Sequence, residues 1–312
     1  MKTLSQSMRL LSLAFLPFQG RVRTLYSALA DGNSLCHDAR YLNLGYWKHG
    51  AKSLDEAAAA LAELLAGAVG LAPDDDVLDA GFGFGDQDFY WHEKHSPRKI
   101  VGVNVTPVQV RAARDRAARL GLSDRVAFYE ADATRTPFPA ESFSVVFALE
   151  SAFHFRTRED FFREAFRVLR PGGRLALADL CAVARTLALK DRLAERIGRS
   201  FWQIPKEDLY PADVYRARIE AAGFVNTRLD SIWHDVYPPF VDFARARLDD
   251  SELKRRMNPV FRRMLTASLK ARKRLSPEAM DYVLAVAEKP RRRGHEGSSG
   301  ATRAPPAASS PP

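Results

Sequence analysis

The chain holds only two cysteines, Cys36 and Cys181, among 312 residues. Two thiols cannot build a disulfide framework, and neither has the neighbours of a metal cluster, so no metal site is expected. No apolar run approaches the roughly 18 residues that a membrane-spanning helix needs. An apolar stretch at residues 8–16 follows Lys2, but it is interrupted and no small-x-small cleavage site comes after it. It reads as a short amphipathic helix over the core or at a membrane surface, and a reducing cytosol is the expected compartment. Ser151 lacks a Gly-x-Ser-x-Gly setting, which removes the hydrolase nucleophile. The run His92-Glu93-Lys94-His95 is one residue short of the zinc-peptidase spacing.

What is present suffices for a core: 46% of residues are hydrophobic and 27% charged. The net charge of +9 is concentrated in two places. Residues 290–312 carry Arg291, Arg292, Arg293 and Arg303 against Glu296, within Gly, Ser, Ala and Pro. That composition predicts a disordered tail. Residues 245–274 hold eleven basic and three acidic side chains. There Val260, Phe261, Met264, Leu265 and Leu269 recur at helical spacing between Arg262, Arg263 and Lys270. The pattern fits a solvated basic helix face, or one that touches an anionic membrane surface peripherally. No aromatic-basic ladder accompanies it, so no nucleic-acid partner is expected.

An alanine-rich helix is predicted over residues 54–70, and then strands and helices alternate. Strands are predicted at 77–80, 100–103, 126–129, 143–149 and 174–180, with later ones at 224–229 and 282–287. Helices fall at 107–120, with proline at its start, at 158–169, stopped by Pro171-Gly172-Gly173, and at 211–222. Alternation of this kind means an α/β fold: a doubly wound, mostly parallel sheet covered on both faces. Expected boundaries are a helical cover over residues 1–53, a main domain over 54–289 and a tail over 290–312. Lid insertions are expected at about 182–206 and 239–275. Phe201, Trp202, Ile204, Tyr237 and Phe240 fall in these lids, as suits a hydrophobic ligand or packing within the lids.

The first strand runs into Asp79-Ala80-Gly81-Phe82-Gly83-Phe84-Gly85. Glycine at every second position differs from the dinucleotide loop, whose third glycine lies three residues after its second. The form acid-x-Gly-x-Gly-x-Gly resembles the first motif of class I S-adenosylmethionine-dependent methyltransferases. Asn104 with Gln109, then Asp132-Ala133, and Asn43-Leu44-Gly45-Tyr46-Trp47 are similar to a small-molecule subset of the type 11 group, acting on sugars, natural products, sterols and tocopherols. The resemblance implies a Rossmann-like fold and S-adenosylmethionine as cofactor. Asp79 would approach its ammonium, Gly81, Gly83 and Gly85 its carboxylate, Asn104 and Gln109 its ribose. Asp132 and Ala133 would hold the adenine, and Tyr46 would cover the methionine end. Asn104 departs from the acid that commonly ends the second strand in this class.

Glu150-Ser151-Ala152-Phe153-His154 and Ala178-Asp179 resemble segments of sugar O-methyltransferases of macrolide and indolocarbazole biosynthesis. By that resemblance His154 is a general base, Asp179 the carboxylate that orients it, and Glu150 a substrate or pocket residue. The implied activity is methyl transfer to a small-molecule hydroxyl on a natural product, sugar or lipid. Carbon methylation of an isoprenoid or acyl chain is the alternative, relying on Glu150 and aromatics. A noncatalytic membrane-associated scaffold is a third reading. Neither the acceptor nor the oligomeric state is legible.

Overall fold

A computed structural model describes residues 18–30, 33–183, 202–205, 209–272 and 280–292, with isolated positions at 7, 8, 16, 192, 196, 199 and 200. The elements in chain order begin with α1 (Phe18–Ala30), α2 (Leu54–Val69), β1 (Asp76–Ala80), α3 (Asp86–His95), β2 (Lys99–Asn104) and α4 (Pro107–Arg119). They continue with β3 (Val126–Glu130), β4 (Phe143–Leu149), a 3-10 turn (Ala152–His154), α5 (Arg158–Val168) and β5 (Leu169–Ala182). The last are α6 (Ala212–Ala221), β6 (Val225–Ser231), α7 (Trp233–Asp249), α8 (Ser251–Arg256), α9 (Pro259–Arg272) and β7 (Met280–Glu288).

The expected doubly wound sheet is present, in the order β3-β2-β1-β4-β5-β7-β6. Pairs from β3 through β5 are parallel, whereas β7 runs antiparallel between β5 and β6. Successive β4 residues point to opposite faces and serve two cores. Val145 and Phe147 join α2, α3 and the amino-terminal cover, while Val146 and Ala148 join α5 and α6.

Local chemistry accounts for the helix starts. Ser53 caps α2 by accepting from the Glu56 N–H at 3.2 Å, with Asp55 and Glu56 in the first turn complementing the dipole. Thr157 does the same for α5 at 3.1 Å. Pro107 opens α4. Trp91 of α3 is fully buried, packs its ring 4.4 Å from Phe147 and donates Nε1–H to the Ala62 carbonyl at 2.9 Å.

Two expectations need correction. Pro171-Gly172-Gly173 does not separate helix from strand, because β5 begins at Leu169 and runs through them. The basic region divides into α7, α8 and α9, since Asp250 and Asn258 each cap a new helix. In α9, Phe261, Leu265 and Leu269 are buried and Arg263 and Lys270 exposed, as the periodicity indicates. The lid expected at 182–206 lies largely outside the described residues, as does the 8–16 stretch. Of the expected tail only residues 290–292 are described, and Arg292 pairs with Glu141 at 2.8 Å. Among the described residues no helix is long and apolar enough to cross a membrane.

Trp91→Ala removes a large buried ring with its hydrogen bond, and is expected to destabilise the protein by about 3–5 kcal/mol in urea unfolding. A loss below about 1 kcal/mol would show that the α2–α3 layer does not depend on this contact.

Candidate functional site

Chain direction across the sheet reverses between β1 and β4, where a crevice opens at the strands' carboxyl ends. A cavity of about 940 Å³, its open mouth included, occupies this place. Gly81 and Gly83 line one wall, Asn104, Gln109, Asp132 and Ala133 a second, and Glu150, Ser151 and His154 a third. At φ +91° Gly81 takes a conformation that L side chains rarely adopt, and a Cβ there would collide with Ser151. Ser151 in turn donates its hydroxyl to the Ala80 carbonyl, tying β4's exit to β1's. Only a glycine lets the two turns approach this closely.

The wall near β2 and β3 has hydrogen-bond capacity left over. Asn104 is spent on the protein: Nδ2 donates to Gln109 Oε1 at 2.9 Å, and Oδ1 accepts the Thr106 N–H at 3.0 Å. Gln109 is thereby oriented with its Nε2 buried and unpartnered among the described residues. An orphaned amide donor at a cavity wall is the group that a sugar hydroxyl would satisfy. Asp132 Oδ1 accepts from the Thr134 N–H and hydroxyl at 2.8 and 2.7 Å, which holds Asp132 and Ala133 at the cavity edge. These groups fit the sugar and base edge of a nucleoside.

Asp79 is fully buried and lies behind the wall rather than on it. Gln87 stands between, lining the cavity and donating Nε2–H to Asp79 Oδ2 at 3.0 Å. Gly85 opens α3 and does not line the cavity. Tyr46 does not line it either. Its ring stacks edge-on against His49, 5.8 Å between centroids, while its backbone N–H bonds to Ala57. Leu42 and Asn43 take the covering position expected of Tyr46, and an aromatic wall comes from Tyr26 of α1.

His154 sits in the 3-10 turn after β4. Its Nδ1 lies 3.2 Å from the Gln203 carbonyl, which can only accept, so the ring proton resides on Nδ1. Nε2 therefore presents a lone pair, and the Tyr26 hydroxyl donates to it at 2.6 Å. Desolvation lowers the imidazole pKa to about 3, with the nearby Arg158 charge acting in the same direction against the carbonyl bond. The ring is neutral throughout the physiological range.

Asp179 does not orient it, contrary to expectation. The carboxylate is fully buried and accepts from Arg158 at 3.1 Å, the Tyr215 hydroxyl at 2.8 Å and the Leu180 N–H at 2.8 Å. Arg158 starts α5 four residues after His154, and its equally buried guanidinium reaches beneath the turn to β5. An arginine in an apolar layer demands a counter-charge more strongly than a neutral imidazole demands an acceptor. Glu150 holds φ +50° and accepts on Oε1 from the Leu44 N–H and the Tyr282 hydroxyl, both at 2.7 Å. It joins the cover to β7 while lining the cavity. Tyr26, Gln87 and Arg158 carry no motif and were not foreseen.

A methyltransferase-domain family model matches residues 78–177. The erythromycin 3''-O-methyltransferase of Saccharopolyspora erythraea is 40% identical over 276 residues, covering 86% of this chain and 90% of the relative. The 27-O-demethylrifamycin SV methyltransferase of Amycolatopsis mediterranei is 36% identical, covering 62% of this chain and 72% of the relative. Among solved structures, the cyclopropane synthase MmaA2 of Mycobacterium tuberculosis superimposes with a TM-score of 0.73 at 18% identity, over 85% of this chain and 95% of that one.

At Gly83 a Cβ would meet Leu42 at 3.2 Å across the cavity mouth, so a longer side chain must enter the cavity. Gly83→Arg is expected to weaken S-adenosylhomocysteine binding by at least about a hundredfold in calorimetry. Retained wild-type affinity would remove the cavity from consideration.

Proposed function

The chain belongs to the S-adenosylmethionine-dependent methyltransferases, and on that premise we propose how its cavity methylates a hydroxyl of a natural product, sugar or lipid. The observation that carries this reading is the 2.6 Å contact from the Tyr26 hydroxyl to His154 Nε2 inside the cavity. A neutral imidazole with its lone pair aimed at an O–H group is the arrangement that a hydroxyl acceptor requires. In this reading the Tyr26 hydroxyl keeps the place that the acceptor's hydroxyl takes.

Gln109 would donate to the cofactor's ribose, Asp132 and Ala133 would hold the adenine edge, and the Gly81–Gly83 loop would meet the amino-acid end. When bound, S-adenosylmethionine supplies an electrophilic methyl group and a positive charge that disappears on transfer. His154 accepts the acceptor's proton at Nε2 as the new carbon–oxygen bond forms, while Nδ1–H stays on the Gln203 carbonyl. The proton on His154 thus replaces a charge in the site rather than adding one, which eases protonation of a ring whose resting pKa is low. Arg158, with its charge matched by Asp179, anchors the start of α5 and so the turn that carries His154.

Carbon methylation through a cationic intermediate asks for a carboxylate free to face the substrate. Glu150 Oε1 is committed to the Leu44 N–H and the Tyr282 hydroxyl, which favours the hydroxyl reading. The names of the two relatives, both methylating oxygen, support it as well.

The test is methyl transfer from labelled S-adenosylmethionine to a panel including 3''-O-demethylated erythromycin and 27-O-demethylrifamycin SV, with the new methyl located by NMR. Label on oxygen is expected, and label on carbon would overturn the reading. With an accepted substrate, His154→Ala should lower kcat by about 10²–10⁴-fold while S-adenosylhomocysteine affinity changes little. Unchanged turnover would remove His154 as the base.

A further inference from the structure

Behind the glycine loop lies a pair of acids that the transfer chemistry does not use. Asp79 is the penultimate residue of β1, and Asp88 lies in the first turn of α3. Both are 0% exposed, and their carboxyl groups lie against each other. Asp79 Oδ1 and both oxygens of Asp88 meet no N–H or hydroxyl donor among the described residues. Two ionised carboxylates can only accept, so a bond between them requires a proton. In a wall closed to solvent, like charges this close cannot both persist.

We propose that Asp88 is a positioning residue for the cofactor: it shares one proton with Asp79, and seating the cofactor's ammonium group expels that proton. This rests on the reading of the cavity as an S-adenosylmethionine site. The path from pair to cavity is short. Gln87 donates to Asp79 Oδ2 at 3.0 Å and lines the cavity, as does Gly81, two residues beyond Asp79. An ammonium seated there adds a positive charge close to Asp79, and the carboxylate form gains.

Surrounding charges leave the pair to itself. Asp86, on the same turn, acts on Asp88 but is paired at 2.8 Å with Arg116 of α4. Tyr41 and Cys36 of the cover act on Asp86 rather than on the pair. Glu63 of α2 is bound to Tyr90 and His95, toward the far end of α3. From β2, Asn104 and its partner Gln109 are neutral amides. Burial, and for Asp88 the neighbouring acid, raise both groups, Asp79 to about 7.

The sign follows. Raised pKa values, that of Asp88 well above the ordinary carboxylate range, mean that the cofactor-free pair still holds a proton at neutral pH. Binding therefore releases close to one proton from neutral pH down to about pH 6, and affinity rises with pH by up to about tenfold per unit below the pair's titration. In Asp88→Asn the amide can donate to Asp79, which then stays ionised with no proton to release.

The experiment is calorimetry of S-adenosylhomocysteine binding to the full chain in buffers of differing ionisation enthalpy, at about pH 6 and pH 7. This ligand keeps the ammonium, and an amine of ordinary pKa stays protonated at the lower pH, so released protons come from the protein. Wild type is expected to release about 0.5–1 proton at pH 6, and Asp88→Asn about none, with affinity nearly flat in pH. Wild-type binding without proton release overturns the proposal, and this arm needs no variant to fold. Release undiminished in a folded Asp88→Asn overturns it too. Absence of any binding overturns the cofactor site itself, and the proposal with it.

Discussion

At the point where β1 and β4 lie side by side, the chain leaves in opposite directions, and everything around the cavity depends on how closely those two exits approach. The Ser151 hydroxyl on the Ala80 carbonyl closes one seam, and the Glu150 N–H on the Ala178 carbonyl closes the next. Gly81 tolerates the first contact because it has no Cβ to meet Ser151. The same closeness places the glycine loop, Glu150 and the His154 turn around one space. A bulkier exit at either strand would separate the glycine loop from the turn that carries His154.

A second constraint sits one layer below. Arg158 and Asp179 are both inaccessible to solvent, and breaking such a pair by removing one partner typically costs about 3–5 kcal/mol, because the other charge stays buried and alone. The tyrosines complete the arrangement: Tyr215 donates to Asp179, and the rings of Tyr210 and Tyr215 lie 5.2 and 5.1 Å from the guanidinium carbon. Changing Asp179 would thus act through the buried Arg158 charge rather than through contact with His154. A carboxylate at the end of β5 and a histidine after β4 are consistent with a dyad in sequence, yet an arginine four residues past the histidine claims the carboxylate first.

Fold class was legible because it rests on local signals: hydrophobic strands of parallel type, proline and capping residues at helix starts, and glycines placed where the backbone must turn. The cofactor wall was legible in part. Gly81, Gly83, Asn104, Gln109, Asp132 and Ala133 line the cavity, since strand order and motif position determine where strand ends lie. Side-chain partners were not legible, being set by elements distant in sequence. Tyr26 reaches His154 across 128 positions, and Glu150 is engaged by Leu44 and Tyr282 from opposite ends of the chain. Tyr46 shows the converse error: an aromatic in the right segment turns into packing against His49, and Leu42 and Asn43 face the cavity instead.

The Tyr26–His154 contact also bears on how the site opens. The Tyr26 phenol keeps Nε2 satisfied, so the imidazole is not left as a buried acceptor without a donor. Burial and the Glu150 charge both push the Tyr26 pKa up, so the phenol remains a donor and does not compete as a base. An entering hydroxyl must replace this bond with one of equal kind, and exchange of like hydrogen bonds is nearly neutral in free energy. A neutral amine can make the same exchange through its N–H, whereas a carbon nucleophile has no strong donor to offer Nε2. The resting contact in this way favours an entering group that can donate to Nε2 over one that cannot, before any shape is considered.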